Sequence, residues 1–221
     1  MVRLLRAVAS LIQSALDVIL PRKERVMRIE GYAAENIPVT PNEHEACGIT
    51  ITTLLSYREH VAEDLVRAVK YDGSHHAAQL LADVLAEYLR EEIASMRSFS
   101  TKKILLIPLP LHPNRQRERG FNQIELILGK LPVEFRNGSV STVNPDILTR
   151  VRETAQQTRL ARTERLTNMK DAFAVSNIDA ALDAHIILID DVTTTGATLA
   201  EAARPLINLG IPVTMIALAR A

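Results

Sequence analysis

The sequence predicts an α/β domain built on a mostly parallel sheet with helices on both faces. Two uninterrupted apolar runs, Ile104–Ile107 and Ile186–Ile189, have the composition of strands that are buried on both faces. Each run leads into a polar loop and then into a helical segment, as in chains that alternate strand and helix. Of the 221 residues, 47% are apolar but only 4% are aromatic, so Leu, Ile, Val and Ala must fill most of the core.

Charge and cysteine content limit the partners and the location of the chain. Lys+Arg and Asp+Glu both number 26, which argues against a generally basic nucleic-acid-binding surface and leaves a local basic patch open. The lone Cys47 cannot form an internal disulfide, and no apolar run has the length of a membrane span. We therefore expect a cytoplasmic protein without a membrane span.

Residues 1–47 are expected to form an N-terminal helix followed by an irregular segment, and residues 48–221 the main domain. Met1–Leu20 carries apolar residues along one helical face. Its basic start raises the alternative of a signal peptide. Gln13 and Asp17 interrupt the apolar part and no clear cleavage site follows, so a packing helix is favoured.

The first half of the main domain is predicted to run strand, helix, helix. Ile49–Tyr57 alternates as a strand does, and Arg58–Val69 and His75–Met96 have helical apolar spacing. Lys70 and Tyr71 fall in the turn between the two helices. They could be plain surface residues or contacts to a ligand.

Three arginines follow the strand at Ile104–Ile107 through a rigid, proline-rich exit. Arg115, Arg117 and Arg119 lie within five residues, and a guanidinium can donate two parallel bonds to a phosphate. A solvated basic loop, or one that binds nucleic-acid backbone, is the alternative. Open α/β sheets bind ligands at the carboxyl ends of their strands, which favours an anion site. A helix over Gly120–Leu131 is expected next.

The most informative stretch follows the apolar run Ile186–Ile189. Asp190 and Asp191 come where the strand would leave the sheet, and a helix over Leu199–Leu209 and a strand over Val213–Ala219 are expected later. A loop that enters a helix presents unpaired N–H groups to an anion, while carboxylates accept from sugar hydroxyls or hold hydrated Mg²⁺. A phosphorylated ribose fits both parts. The loop residues are Thr193, Thr194, Thr195, Gly196, Ala197 and Thr198.

Each of these features has an ordinary explanation when taken alone. Thr198 could be a helix cap, Gly196 a turn and the acid pair a polar edge of a core strand. A receiver domain carries its acidic pair after the first strand, and a P-loop needs a Gly-Lys-Thr/Ser sequence that is absent here. The order of the features favours a ligand site.

The run from Asp190 to Thr198 resembles the phosphoribosyl-pyrophosphate (PRPP) motif of type I phosphoribosyltransferases. The resemblance implies that Asp190 and Asp191 are catalytic acids that hold the ribose diol, and Mg²⁺ mostly through substrate or water. It also implies that the loop from Thr193 to Thr198 binds the 5′-phosphate.

The run from Pro108 to Gln123, with Lys70-Tyr71-x-Gly73 upstream, is similar to the ComF/GntX-like branch of that fold. This resemblance implies that a polar, arginine-rich segment after Val151 is a flexible loop with catalytic Arg152 and Arg159. Further implied ligand contacts are Lys70, Tyr71, Thr154 and Gln157. The implied pyrophosphate loop contains Leu109, Pro110, Arg115, Arg117 and Arg119.

The resemblance covers about residues 50–221 and implies a protein that binds PRPP or a ribose 5-phosphate nucleotide with Mg²⁺. Transfer of phosphoribose to an unidentified acceptor is the favoured activity. The alternative is a non-catalytic protein of competence and DNA uptake that binds single-stranded DNA or a protein partner. A homodimer is also open. ComF-like proteins often begin with a cysteine-rich zinc knuckle, and His44 and Cys47 alone do not supply one, so zinc is not expected.

Overall fold

The computed structural model describes residues 24–151 and 172–221. The helix predicted over Met1–Leu20 and the arginine-rich segment after Val151 lie outside the described residues. Within the two described ranges, no helix is long and apolar enough to cross a membrane.

A six-stranded, mostly parallel sheet forms the centre of the fold, which confirms the predicted α/β class. Its order is β1-β2-β8-β7-β3-β4, and every neighbouring pair is parallel except β1 with β2. A separate antiparallel pair joins β5 and β6. The strands are β1 (Asn42–Ala46), β2 (Ile49–Ser56), β3 (Lys103–Pro108), β4 (Thr142–Val143), β5 (Leu148–Arg150), β6 (Phe173–Val175), β7 (Ala184–Thr193) and β8 (Val213–Arg220).

Helices cover both faces of the sheet and enclose two apolar clusters. The helices are α1 (Glu24–Ile29), α2 (His60–Asp72), α3 (His75–Phe99), α4 (Pro113–Arg119), α5 (Gln123–Leu128), α6 (Ile178–Leu182) and α7 (Ala197–Asn208). Apolar residues of α2, α3 and α5 pack on one face, and those of α6 and α7 with the β5–β6 pair pack on the other. Short 3₁₀ turns occur at Ala34–Asn36, Val133–Phe135 and Pro145–Ile147.

The chain leaves the neighbouring strands β3 and β7 toward opposite faces of the sheet. After β3 it enters α4 and α5, and α5 packs in the same cluster as α3; after β7 it enters α7 in the other cluster. A crevice therefore opens between the carboxyl ends of β3 and β7. Such a switch point is where open α/β sheets bind their ligands.

Strand β1 was not predicted from the sequence. It pairs antiparallel with β2 as an edge strand, and within it Ala46 is buried while Glu43 and Glu45 are exposed. An exposed edge strand needs no apolar repeat, and charged side chains on an edge discourage pairing with other chains. The pattern that identifies buried strands is therefore absent from this segment.

The prediction that Lys70 and Tyr71 lie in a turn is wrong. Helix α2 continues to Asp72, and Gly73, at φ 61°, ends it in the left-handed conformation that glycine adopts most readily. Both residues therefore lie in the last turn of α2, and the helical backbone sets the directions of their side chains.

The arginines predicted to lie on a loop instead lie on the short helix α4. The His112 ring nitrogen Nδ1 accepts from the Asn114 N–H at 3.3 Å, and Pro113 occupies the first helical turn. Gly120, at φ 81°, ends the helix. The single helix predicted over Gly120–Leu131 is wrong at both ends, because α5 begins only after Asn122 and ends at Leu128.

The prediction that the strand ends before the two carboxylates is also wrong. Strand β7 runs on to Thr193, with Asp190 opposite Ala217 of β8. On its other side, pairing with β3 ends where Pro108 lies opposite Ile189. The carboxylates are therefore held by the ladder to β8 and lie beside the crevice that the departing β3 leaves open.

Candidate functional site

The two adjacent carboxylates are nearly enclosed, with Asp190 8% and Asp191 6% exposed. Oδ1 of Asp190 accepts from the Asp191 N–H at 2.8 Å, and Oδ1 of Asp191 accepts from the Val192 N–H at 2.8 Å. These backbone bonds fix the direction of both side chains. The site thus presents a rigid pair of acids beside the crevice.

A hydrogen-bonded network joins Asp191 to two other elements. Its Oδ2 accepts from Nε2 of Gln123 at 3.1 Å and lies 3.5 Å from Nζ of Lys70. Oε1 of Gln123 in turn accepts from Nη1 of Arg119 at 2.8 Å. The arginine helix is therefore connected to the acid pair through Gln123, to which the sequence analysis gave no role, and the end of α2 is connected to it directly through Lys70.

Burial raises the pKa of Asp190 well above its ordinary value, and the negative charge of Asp191 raises this pKa further. Lys70 opposes the shift. Partners that donate hydrogen bonds or carry positive charge would relieve the repulsion between the two acids. Sugar hydroxyls and a divalent cation both meet this requirement.

The donor set suits Mg²⁺ shared with a ligand. Carboxylate oxygens are ligands that Mg²⁺ prefers, and it commonly binds through one or two of them together with substrate oxygens and water. Within residues 24–151 and 172–221, no group of three or more His, Cys, Asp or Glu side chains could hold a metal by itself. The acid pair fits a metal that arrives with a phosphorylated substrate.

The turn after β7 is held by its own threonines. Thr193 is buried, and its Oγ1 accepts from the Gly196 N–H at 2.9 Å, while Oγ1 of Thr195 lies 3.5 Å from the Ala197 nitrogen. Thr194 is exposed. Thr198 lies in the first turn of α7. The turn therefore places Thr194 and the start of α7 where an anion could bind.

Gly196 fixes this turn against the edge of the sheet. It caps α7 at φ 75°, and a Cβ added there would overlap the side chains of Ala46 and Ile51. Only glycine combines this backbone conformation with so close an approach. The position of the turn relative to the acids thus depends on the edge strand β1.

Leu109 anchors the segment that leads into the arginine helix, and Pro110 follows it. The Leu109 N–H donates to the Ile189 carbonyl at 2.8 Å, its carbonyl accepts from Nδ2 of Asn122 at 3.1 Å, and its side chain is buried. Pro110 has no N–H to offer. These contacts hold the Leu109 backbone in place, and the binding of pyrophosphate implied for Leu109 and Pro110 stays a prediction.

The three arginines differ in where they lie. Arg115 and Arg119 are four residues apart and share one face of α4, whereas Arg117 lies on another and donates to Oδ1 of Asn114 at 3.2 Å. Arg119 reaches Gln123 and through it the acid pair. The structure thus connects Arg119 to the site and separates Arg117 from it.

We expect Asn122→Ala to lower the free energy of unfolding by roughly 2–3 kcal/mol. The side chain caps α5 by accepting from the Ile124 N–H at 2.9 Å, and its loss also leaves the Leu109 carbonyl without its donor. Asn177→Ala is the matched control, because exposed Asn177 only caps α6 and should cost about 1 kcal/mol. Urea denaturation measures both; equal losses would contradict a role for Asn122 beyond capping.

Tyr57, which directly follows β2, lies near enough to Asp191 to be affected by its charge, and the sequence analysis gave it no role in the site. Burial raises its pKa, and the charges of Glu63 and Asp191 contribute. Tyr71 is 59% exposed at the end of α2. The remaining predicted contacts lie outside the described residues: Arg152, Thr154, Gln157 and Arg159.

Comparison with known proteins finds relatives that are named competence proteins or DNA utilization proteins. No family model matches the chain. Competence protein ComFC of Streptococcus pneumoniae is 29% identical over 155 residues, which are 70% of this chain and 60% of that protein. DNA utilization protein YhgH of Salmonella typhimurium is 33% identical over 147 residues, 66% of this chain and 61% of that protein. Competence protein F of Haemophilus influenzae is 38% identical over 108 residues, 48% of this chain and 45% of that protein.

The matches cover only part of these relatives, because the chain spans about 60% of the length of the first two. Among solved structures, a hypoxanthine phosphoribosyltransferase from Staphylococcus aureus aligns over 66% of this chain and 65% of its own, with 9% identity and a TM-score of 0.38. The sequence matches confirm the resemblance seen in the motifs: the chain is homologous to proteins named ComFC, competence protein F and YhgH, at 29–38% identity over part of their length.

Proposed function

We propose that this chain binds PRPP, or a ribose 5-phosphate nucleotide, together with Mg²⁺ and transfers phosphoribose to an acceptor. The observation that carries the proposal is the buried acid pair on β7, followed within a few residues by a glycine turn that opens α7. These two parts match the two ends of a phosphorylated ribose. The network through Gln123 adds an arginine from α4 to the same crevice.

In this proposal each part of the donor has its own partners. The diol donates hydrogen bonds to Asp190 and Asp191, and the 5′-phosphate accepts from Thr194, the turn and the start of α7. Fixing both ends of the sugar holds the anomeric carbon in one place for attack. Lys70, beside Asp191, keeps the acid pair from repelling the anionic donor.

Transfer breaks the bond between the anomeric carbon and pyrophosphate and forms a bond from that carbon to the acceptor. Pyrophosphate leaves with the bonding electrons, so negative charge grows on it as positive charge grows on the sugar. Arg115 and Arg119 share the face of α4 that is joined to the site, and they would stabilise the departing pyrophosphate. Asp190 and Asp191 would hold Mg²⁺, which supplies further positive charge for the leaving group.

The contacts available are sufficient for useful affinity. A hydrogen bond to a charged group contributes roughly 1.5–3 kcal/mol. Binding with a micromolar dissociation constant requires about 8 kcal/mol. Four or five such bonds could reach this value after the entropy of association is subtracted.

A second candidate is a non-catalytic role in handling DNA, as a binder of single-stranded DNA or of a protein partner. The names of the relatives, competence protein and DNA utilization protein, favour it. The arginines of α4 would then contact phosphates of a strand. The two candidates differ in their dependence on solution conditions, because strand binding falls steeply with salt.

Calorimetric titration of PRPP with Mg²⁺ and with EDTA tests the proposal. We expect saturable binding with Mg²⁺ that weakens at least tenfold when the metal is removed, because the anionic donor then meets the acid pair without its cation. Arg115→Gln/Arg119→Gln should weaken binding, whereas Arg58→Gln/Lys130→Gln, which removes two charges that form no ion pair among the described residues, should not. Absence of PRPP binding, with salt-sensitive binding of oligothymidylate, would favour the second candidate. Pyrophosphate release with candidate acceptors then separates transfer from binding alone.

A further inference from the structure

A basic cleft of about 540 Å³ lies at the amino end of β3, at the opposite end of the strands from the acid pair. It forms where α3 ends, β3 begins and the turn before β4 passes. Its cationic side chains are those of Arg97, Lys102 and Lys103. Among the described residues, its walls contain no acidic side chain: they are formed by Arg97, Ser100, Thr101, Lys102, Lys103, Ile104, Leu105, Gly138, Val140, Ser141 and Thr142.

No carboxylate neutralises these three cations within the described part of the chain. Nη2 of Arg97 donates to the carbonyls of Ser139 at 3.1 Å and Val140 at 2.7 Å, which are uncharged acceptors. Lys102 and Lys103 are exposed and form no ion pair with a described residue. On a chain with formal net charge zero, this is a local excess of positive charge.

An exposed aromatic residue directly precedes the cleft wall in the chain. Phe99 is the last residue of α3, directly before Ser100 in the cleft wall, and it is 90% exposed. Phe135 and Phe173, in contrast, are buried. An exposed ring next to unneutralised cations offers a flat surface for stacking and charge for phosphate groups.

We propose that this cleft binds a nucleoside di- or triphosphate, with its base on Phe99 and its phosphates on Lys102, Lys103 and the free side of Arg97. The hydroxyls of Ser100 and Thr101 supply further polar contacts at the same wall. A groove for a single strand usually tracks several phosphates and stacks successive bases. One ring and three cations around a cleft of this size fit a single nucleotide better.

The cleft is independent of the proposed phosphoribosyl site. Lys103 begins β3, and Pro108 ends it at the crevice. The five residue steps from Lys103 to Pro108, at about 3.3 Å each, separate the two places by roughly 17 Å. A nucleotide in the cleft and PRPP in the crevice could therefore be bound together, and failure of one proposal leaves the other standing.

Equilibrium dialysis with labelled ATP measures binding of the nucleotide to the cleft. The variant Arg115→Gln/Arg119→Gln shows whether ATP binds in the crevice between β3 and β7 instead. We expect Lys102→Gln/Lys103→Gln to weaken ATP binding at least tenfold and Phe99→Ser at least threefold. The crevice variant and the charge-matched Arg58→Gln/Lys130→Gln should bind ATP as the unchanged protein does. Thermal unfolding of each variant checks the fold, and all the replaced side chains are at least partly exposed.

Inorganic triphosphate and oligothymidylate complete the experiment. Triphosphate should bind more weakly than ATP and should be insensitive to Phe99→Ser, because it has no base to stack. The proposal is overturned if ATP does not bind, or if it binds Lys102→Gln/Lys103→Gln with unchanged affinity. It is also overturned if oligothymidylate alone shows this lysine dependence, which would assign the cleft to a strand.

Discussion

Replacement of Gly196 by alanine should lower the free energy of unfolding by roughly 2–5 kcal/mol. The added Cβ meets two costs at once. The backbone at φ 75° disfavours any L side chain by about 1–2 kcal/mol, and overlap with Ala46 and Ile51 adds roughly 1–3 kcal/mol of overpacking. For a chain of this size, each kcal/mol corresponds to about 2–4 °C in melting temperature. Thermal unfolding should therefore shift downward by about 10 °C.

Gly210→Ala is the matched control for the packing part of this effect. Gly210 has almost the same φ, 74°, but an added Cβ there meets no atom of the described residues within 4 Å. We expect this variant to lose only about 1–2 kcal/mol. Equal losses in the two variants would show that backbone strain alone accounts for the result and that the turn is not held against β1 and β2. A larger loss at Gly196 supports the contact that positions the turn.

The sequence was sufficient to predict the elements whose pattern is local. The apolar runs that became β3 and β7 are buried on both faces, and the turn after β7 begins a helix as expected. The motif resemblance was confirmed by the relatives because it rests on residues that are contiguous in the chain. The functional roles implied for those residues stay predictions.

Other features depend on contacts between distant segments and left no local pattern. Ala46 and Ile51 lie more than a hundred residues before Gly196, so the close packing of the turn could not be read from its own sequence. The bond from Gln123 to Asp191 spans 68 residues. The arginine run was misassigned for a different reason: helix caps at His112 and Gly120 outweighed the proline-rich approach, which had favoured a loop.

Asp190→Asn/Asp191→Asn should weaken PRPP binding by about a hundredfold, and by no less than tenfold. Each carboxylate that accepts from a sugar hydroxyl or shares the metal contributes roughly 1.5–3 kcal/mol, and a tenfold change corresponds to about 1.4 kcal/mol. The amide side chains keep the volume and can still accept the backbone bonds made by the two Oδ1 atoms. Calorimetry with Mg²⁺ measures the effect. Unchanged affinity would exclude the acid pair from the binding of the donor.

The single variant Asp190→Asn should be more stable than the unchanged protein at high pH, although it should bind PRPP more weakly. Because the pKa of Asp190 is raised in the folded chain, ionisation of this acid favours the unfolded chain. Its contribution to stability is present at low pH, below the ordinary pKa, and is lost as pH rises through the raised value. The amide that replaces the carboxyl group does not ionise, so the melting temperature of the variant should approach that of the unchanged protein near pH 4 and exceed it by at least about 2 °C at pH 8.

Asp183→Asn, at an exposed carboxylate at the end of α6, is the control for this pH dependence and should show no such rise. If Asp190→Asn gains stability as pH rises and loses PRPP, the strained acid pair is retained for a ligand rather than for the fold. If it gains stability and keeps PRPP, Asp191 with its partners Lys70 and Gln123 must supply the contact to the sugar. A loss of stability at pH 8 would instead mean that the ionised carboxylate supports the fold, which contradicts the raised pKa of Asp190.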